Sequence, residues 1–169
     1  MEKAKAIFLD RDGVINDNSV AYYIHRKEDF VLNKGVIESL KILQQKGFIF
    51  LIITNQGGIA KGLYSNEDVI KLNDYLLELF LNSEVIIKSA FHCPHHSDIS
   101  KCLCRKPDSL LFEKAIALYN INVAESFMIG DSDRDIVAAE KVGLTGIKVP
   151  GNSNLFESIK NTEYSYLIA

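Results

Sequence analysis

Asp10 and Asp12 stand two residues apart at the end of a short apolar run, in the stretch KAIFLDRDGVIN. Two carboxylates a few ångströms apart repel by about 1 kcal/mol in water and by several times that in a partly dry site, unless a cation or a proton lies between them. The pair therefore predicts a metal ion, acid–base chemistry, or both, although Asp-x-Asp-Gly also occurs in turns and calcium loops. Three more polar groups follow apolar segments: Thr54-Asn55-Gln56-Gly57, Arg105-Lys106-Pro107 and Gly130-Asp131-Ser132-Asp133-Arg134-Asp135. Each has a plain structural reading too: a strand-end turn, a solvated charge before a proline, and a helix N-cap with its first-turn acid.

A second constellation is Cys93-Pro94-His95-His96 followed by Cys102-Leu103-Cys104. Cys-x-His, a gap of six residues and Cys-x-Cys suit tetrahedral zinc, because thiolate and imidazole are its preferred ligands and the gap is long enough to fold back. Cys93, His95, Cys102 and Cys104 are the expected ligands, with His96 or His92 the alternatives to His95. All four positions would be filled by protein, which makes the zinc structural. No strand or helix pattern covers the loop, so a cross-link would order it.

The elements that must carry these groups alternate. Ala6 to Leu9, Phe48 to Ile53, Val85 to Phe91, Ser126 to Ile129 and Thr145 to Val149 read as buried strands. Between them, apolar spacing predicts helices over Val36 to Leu43, from Ser65 through Phe80, over Leu110 to Tyr119 and around Ala138 to Val142, with a weak one near Leu155 to Lys160. Ser65 with Asp68 approximates a capping box. Asn16 to Phe30 reads as a loop and Tyr164 to Ile168 as an edge strand. The expected fold is an α/β doubly wound, mainly parallel sheet with helices on both faces, in one domain over 1–169. In such sheets ligands bind at the carboxyl ends of the strands, where Asp10/Asp12, Thr54/Asn55 and Asp131/Asp135 fall, while Lys106 precedes a later helix.

Composition narrows the classes. The chain has 169 residues, 47% of them hydrophobic and 24% charged, with a formal charge of −3. That is ordinary globular composition with no basic footprint for nucleic acid. No apolar stretch approaches a membrane span, and the N-terminus lacks the apolar region of a signal peptide. Three cysteines form no disulfide framework, which favours the cytoplasm.

FLDRDG, IITNQ, CRKPD and GDSDRD, in this order and on these elements, resemble the phosphatases of the haloacid dehalogenase superfamily over nearly the whole chain. The resemblance implies that Asp10 is the nucleophile, forming an aspartyl phosphate, and that Asp12 is the general acid and base. Mg²⁺ would lie on Asp10, Asp131 and the backbone carbonyl of Asp12. Thr54 and Lys106 would donate to the phosphoryl group, and Asp135 would support the metal shell or Lys106. Within the superfamily, DRDGVIN, TNQGGIAKG, CPHH and CLCRKP look like the small zinc-loop members without a cap domain that act on heptose bisphosphate or histidinol phosphate. That likeness implies removal of the C7 phosphate of D-glycero-D-manno-heptose 1,7-bisphosphate, on the route to nucleotide-activated heptose. Histidinol phosphate is the alternative substrate. Arg11, Asn18, Tyr23, Asn55, Gln56, Gly57 and Arg105 are the expected substrate contacts, with the Asn18 to His25 loop, the Gln56 to Tyr64 loop and the zinc loop as the roof. Gly57 replaces a usual serine, and Ser132 stands where some heptose enzymes carry lysine. A receiver-like signalling module also uses Asp, Thr, Lys and Mg²⁺, but its phosphoacceptor normally follows a later strand. The expected partner is a small sugar phosphate bound by a monomer, with neither nucleic acid nor membrane involved.

Overall fold

A computed structural model describes residues 3–169. The chain opens with β1 (Ala6–Leu9) and two short strands, β2 (Asn16–Asp17) and β3 (Val31–Leu32). It then alternates through α1 (Val36–Gln45), β4 (Ile49–Asn55), α2 (Asn66–Asn82), β5 (Ile87–Cys93), α3 (Leu110–Tyr119), β6 (Phe127–Gly130), α4 (Asp133–Glu140), β7 (Thr145–Lys148) and α5 (Leu155–Lys160). Five strands form one sheet in the order β5-β4-β1-β6-β7, and every pairing is parallel.

Strand periodicity divides the core. Ile7 and Leu9, Phe50 and Ile52, and Ile129 point to one face, packed by α1, α2 and α5 through Leu40, Leu43, Leu76, Phe80 and Ile159. Ala6 and Phe8, Leu51 and Ile53, and Met128 point to the other, packed by α3 and α4 through Phe112, Ala115, Ala138 and Ala139. Strands buried on both faces need continuous apolar runs, which is what β1, β4 and β6 supply. β1 lies between β4 and β6, so the strand order reverses there. Its carboxyl end, Asp10, is the topological switch point where a crevice opens.

Helix α2 starts as expected: Ser65 N–H donates to Asp68 Oδ2 at 2.8 Å and Asp68 N–H donates back to Ser65 Oγ at 3.1 Å. Three local expectations change. The Asn16 to Phe30 stretch is not all loop, because β2 pairs antiparallel with β3 and ties its two ends together. β5 runs to Cys93, so the first thiol of the cysteine cluster sits on the sheet, opposite Asn55, and not in a free loop. Tyr164 to Ile168 is no edge strand: Ser165–Leu167 is a 3-10 turn in which Leu167 N–H and Ile168 N–H donate to Tyr164 O and Ser165 O. Leu167 and Ile168 are both buried, and adjacent buried residues cannot share one face of a strand.

Ser126 is fully buried and its hydroxyl makes two bonds that join β1 to the start of β6: it accepts from Ala6 N–H at 2.8 Å and donates to Asn122 O at 2.7 Å. Ser126→Ala leaves a buried donor unpaired, so unfolding in urea should show a loss of about 1–3 kcal/mol. Turnover per folded molecule should be unchanged, because Ser126 lies at the sheet end opposite the crevice.

Candidate active site

The crevice is built around an ammonium buried to 2% exposure. Lys106 Nζ lies 2.8 Å from Asp10 Oδ1, 2.6 Å from Asp135 Oδ1 and 2.7 Å from Ile53 O. Asp10 Oδ1 and Ile53 O accept hydrogen bonds from the ammonium, and Asp135 Oδ1 completes its surroundings as an ion-pair contact. Burial alone would push the lysine down, but Asp10 and Asp135 hold it above its ordinary value and keep it charged. Its backbone is fixed as well: Lys106 N–H donates to Asn55 Oδ1 at 3.0 Å, and Asn55 Nδ2 donates to Lys106 O at 3.1 Å. Asn55 borders the cavity, yet its amide is occupied in clamping Lys106.

Asp10 Oδ1 also accepts from Arg11 N–H at 2.9 Å. Oδ2 accepts no hydrogen bond among the described residues, which leaves it free at the cavity that Asp10 lines. Burial pushes the Asp10 carboxyl up to about 7, with Lys106 pulling it down and Asp135 pushing it further up. One ammonium does not neutralise this many acids.

Asp12 is aimed by three donors. Arg11 Nη2 donates to Oδ2 at 3.0 Å, Asn16 Nδ2 to Oδ1 at 3.1 Å and Gln56 Nε2 to Oδ2 at 2.8 Å. The same Gln56 nitrogen donates to Thr54 Oγ1 at 2.9 Å, and Tyr64 O–H donates to Gln56 Oε1 at 2.8 Å. Two expected substrate contacts are corrected here. The Arg11 side chain is fully buried, spent on Asp12, on Ile24 O at 2.6 Å and on Asn73 Oδ1 at 3.4 Å. Gln56 is 1% exposed and its amide is spent on Asp12, Thr54 and Tyr64. Both stand behind the catalytic side chains and neither borders the cavity, because buried polar groups must be paired and these two supply the pairing.

The carboxylate oxygens of Asp10, Asp131 and Asp135 lie within 4.8 Å of one another. Asp135 is already committed: Ser132 N–H and Oγ donate to its Oδ2 at 3.1 and 2.7 Å as it caps α4, while Oδ1 pairs with Lys106. Both expected roles, helix cap and lysine partner, are thus met by one residue. Burial and Asp135 raise the Asp131 carboxyl. Oxygen donors with excess negative charge suit a hard divalent cation, which Asp10 and Asp131 remain free to hold. Gly13, at φ +93°, brings the β1 turn against that pair, where a Cβ would stand 2.2 Å from Asp131 Oδ2. The Asp12 carboxylate lies outside this group, turned to Arg11, Asn16 and Gln56.

The ligand atoms of Cys93, His95, Cys102 and Cys104 also lie within 4.8 Å of one another. Cys93 Sγ is 3.7 Å from His95 Nδ1 and from Cys102 Sγ, and His95 Nδ1 is 3.3 Å from Cys104 Sγ. Zinc–sulfur bonds of about 2.3 Å give tetrahedral edges of about 3.7 Å. The Cys93–Cys102 edge has that length and the Cys93–Cys104 separation, 3.0 Å, is shorter, so the donor set is compatible with that ion once the second pair opens slightly. His96 turns away and accepts from Asp98 N–H at 3.2 Å.

The cavity, about 170 Å³, is lined by Asp10, Asp12, Thr54 and Lys106 together with Asn18, Tyr23, Gly57 and Arg105. Beside it runs a groove of about 670 Å³ that shares Arg105, Lys106 and Arg134. Tyr22, Ser132 and Arg134 also border the cavity, although the sequence reading gave them no role. Arg134 was legible in principle, three residues after Asp131 in the first turn of α4. No carboxylate among the described residues lies within 4.0 Å of Arg105 or Arg134, whereas Lys106 has two.

Residues 103–164 match the HAD-hydrolase-like family. A D-glycero-beta-D-manno-heptose-1,7-bisphosphate 7-phosphatase of Helicobacter pylori is 38% identical over 168 residues, covering 99% of this chain and 92% of the relative. The chain belongs to the heptose bisphosphate phosphatase family of haloacid dehalogenase-like hydrolases. A D-glycero-alpha-D-manno-heptose-1,7-bisphosphate 7-phosphatase of Photorhabdus laumondii is 40% identical, covering 84% of the chain and 80% of the relative. Among solved structures, the D,D-heptose 1,7-bisphosphate phosphatase from B. bronchiseptica, complexed with magnesium and phosphate, has a TM-score of 0.80 at 27% identity. It covers 94% of this chain and 87% of that one. The protein is thus a phosphoric monoester hydrolase with the α/β fold of that family, not a receiver-like module. No helix among the described residues is long and apolar enough to cross a membrane.

The buried position of Arg11 has a measurable consequence. Arg11→Met leaves the buried Ile24 carbonyl and Asn73 Oδ1 without their donor and takes one of three donor residues from Asp12, so thermal or urea unfolding should register a loss of about 3 kcal/mol. A guanidinium that met substrate would instead raise KM with stability intact, and that result would restore the earlier expectation.

Proposed function

We propose that this hydrolase removes the C7 phosphate of D-glycero-D-manno-heptose 1,7-bisphosphate. The observation that carries the reading is the pairing of a small, acid-lined phosphoryl cavity with an adjoining groove whose two guanidiniums have no carboxylate partner. One phosphate meets Asp10, Thr54 and Lys106, and the remote phosphate of a bisphosphate has Arg105 and Arg134 to meet it. Relatives named for heptose bisphosphate, over nearly the full chain, support the same substrate.

In the reaction, Asp10 Oδ2 attacks phosphorus and forms an aspartyl phosphate as the bond to the sugar oxygen breaks. Asp12 gives its proton to the departing alkoxide, then takes one from the water that cleaves the intermediate, so inorganic phosphate and a heptose 1-phosphate leave. Thr54 donates its hydroxyl proton to a phosphoryl oxygen. Lys106, held between Asp10, Asp135 and the Ile53 carbonyl, contributes chiefly its charge. Magnesium on Asp10, Asp131 and the Asp12 main chain would neutralise the phosphoryl oxygens. Zinc on Cys93, His95, Cys102 and Cys104 would be structural, ordering the loop that ends at Arg105. Arg105 Nη1 donates to His95 O at 3.0 Å, which links the two. We read the chain as one cap-free phosphatase domain acting as a monomer. Its three free thiols suit a reducing cytoplasm.

Phosphate release by the Mg²⁺-loaded protein should be much faster from the heptose bisphosphate than from histidinol phosphate, and the reverse ranking would end the proposal. Asp10→Asn should lower kcat by at least about a thousandfold while melting no earlier than the parent, since it removes a buried negative charge and keeps an acceptor for Lys106. For the zinc site, elemental analysis of Cys104→Ser should show less than the one equivalent expected of the parent; an undiminished content would remove Cys104 from the ligand set.

A further inference from the structure

We infer that Tyr64 is a positioning residue, which aims Asp12 and Thr54 by fixing the orientation of the Gln56 amide. The inference rests on the roles given above to Asp12 and Thr54. Gln56 has two donors and one acceptor group, and the structure assigns each a separate duty. Nε2 spends its protons on Asp12 Oδ2 and Thr54 Oγ1, and Oε1 receives the Tyr64 hydroxyl proton.

The other amide orientation would put Oε1 between Asp12 and Thr54. There it would accept the Thr54 hydroxyl proton, which would then be unavailable to a phosphoryl oxygen. While Asp12 is a carboxylate, its charge repels Oε1 and opposes that flip. Tyr64 favours the observed orientation, because its O–H donates to Oε1 at 2.8 Å and a flipped amide would turn an N–H toward that hydroxyl proton instead.

The ring is held for this duty. Gly58 lies under it so closely that a Cβ there would stand 2.1 Å from Tyr64 Cε1. His25 stacks on it with centroids 4.7 Å apart and planes 8° apart, and Tyr23 meets its edge at 5.8 Å. Burial pushes the phenol up to about 12, so it remains a donor in neutral solution. Through His25 and Tyr23, the loop over the cavity and the acid–base side chain share one aromatic support.

A double-mutant cycle tests this, with kcat and KM measured on the heptose bisphosphate for Tyr64→Phe, Gln56→Ala and the pair. Tyr64→Phe keeps the stacked ring and should lower kcat about three- to tenfold with KM changed less than about twofold. In the Gln56→Ala background the same change should alter kcat by less than about twofold, because the group it acts through is gone. Equal effects in both backgrounds, or a parental kcat for Tyr64→Phe, would overturn the inference. Asp12→Asn separates it from the reading beneath: retained turnover there removes the acid–base role itself, while lost turnover with additive Tyr64 and Gln56 effects removes only the inference.

Discussion

The fold converges on the buried ammonium of Lys106. Moving an unpaired ammonium from water into a protein interior costs several kcal/mol even after relaxation, so the chain must bring acceptors to it from wherever they lie in the sequence. It brings Asp10 from the end of β1, the Ile53 carbonyl from β4 and Asp135 from the first turn of α4. Two strands and a helix with no local connection are thereby tied at one point, at the edge where a parallel sheet leaves its crevice. The excess acid around that point is what makes the place useful. Three carboxylates against one ammonium leave negative charge to be met by a cation, and they leave one oxygen of Asp10 without a partner.

Around this centre the residues of each motif divide their labour by register. In Thr54-Asn55-Gln56 the first side chain borders the cavity, the second clamps the Lys106 backbone and the third reaches back to Asp12. A strand presents alternate side chains to opposite faces, but at its end the chain turns, and three successive residues can serve three different neighbours. The same holds for Asp10-Arg11-Asp12, where the acids meet the crevice and the arginine between them enters the interior. Such sites need a second layer of paired polar groups, because a carboxylate that must change protonation state has to be aimed by something that does not move.

The elements with uninterrupted apolar runs or clear caps were legible: β1, β4, α1, α2, α3 and the capping residue Ser65 fall where the pattern puts them. The tail was not. Leu167 and Ile168 satisfy the apolar count of a strand, but local i to i+3 hydrogen bonds took their donors, and no periodicity distinguishes those cases over so few residues. At the site, residues that could do chemistry were legible, and so was the sheet edge that gathers them. The direction of each long polar side chain was not. Arg11 and Gln56 read as substrate contacts because they flank catalytic positions, and only the three-dimensional neighbours Asn73, Ile24 and Tyr64 show that their hydrogen bonds are already filled. Arg134 was passed over altogether, because its place on the cavity wall depends on where the first turn of α4 lies against the loop that carries Arg105.

That loop shows how order can pass from a cluster of thiols to a substrate pocket without any side chain spanning the distance. His95 turns its ring nitrogen toward Cys93 and Cys104, while its carbonyl accepts from the Arg105 guanidinium. A backbone carbonyl cannot be repositioned without turning the peptide that carries it, and the ring is fixed to the same residue. If the thiols are drawn around an ion, the His95 backbone is drawn with them, and one of the two unpaired guanidiniums is set at the wall of the groove. The loop has few apolar contacts beyond those of Cys102 and Cys104 with the core, so the His95 carbonyl is a principal means of holding the arginine still. The cysteine cluster thus sits between the pocket and the fold: Cys93 belongs to the core beneath α3 and α4, Cys102 and Cys104 pack against it, and His95 hands their position to Arg105.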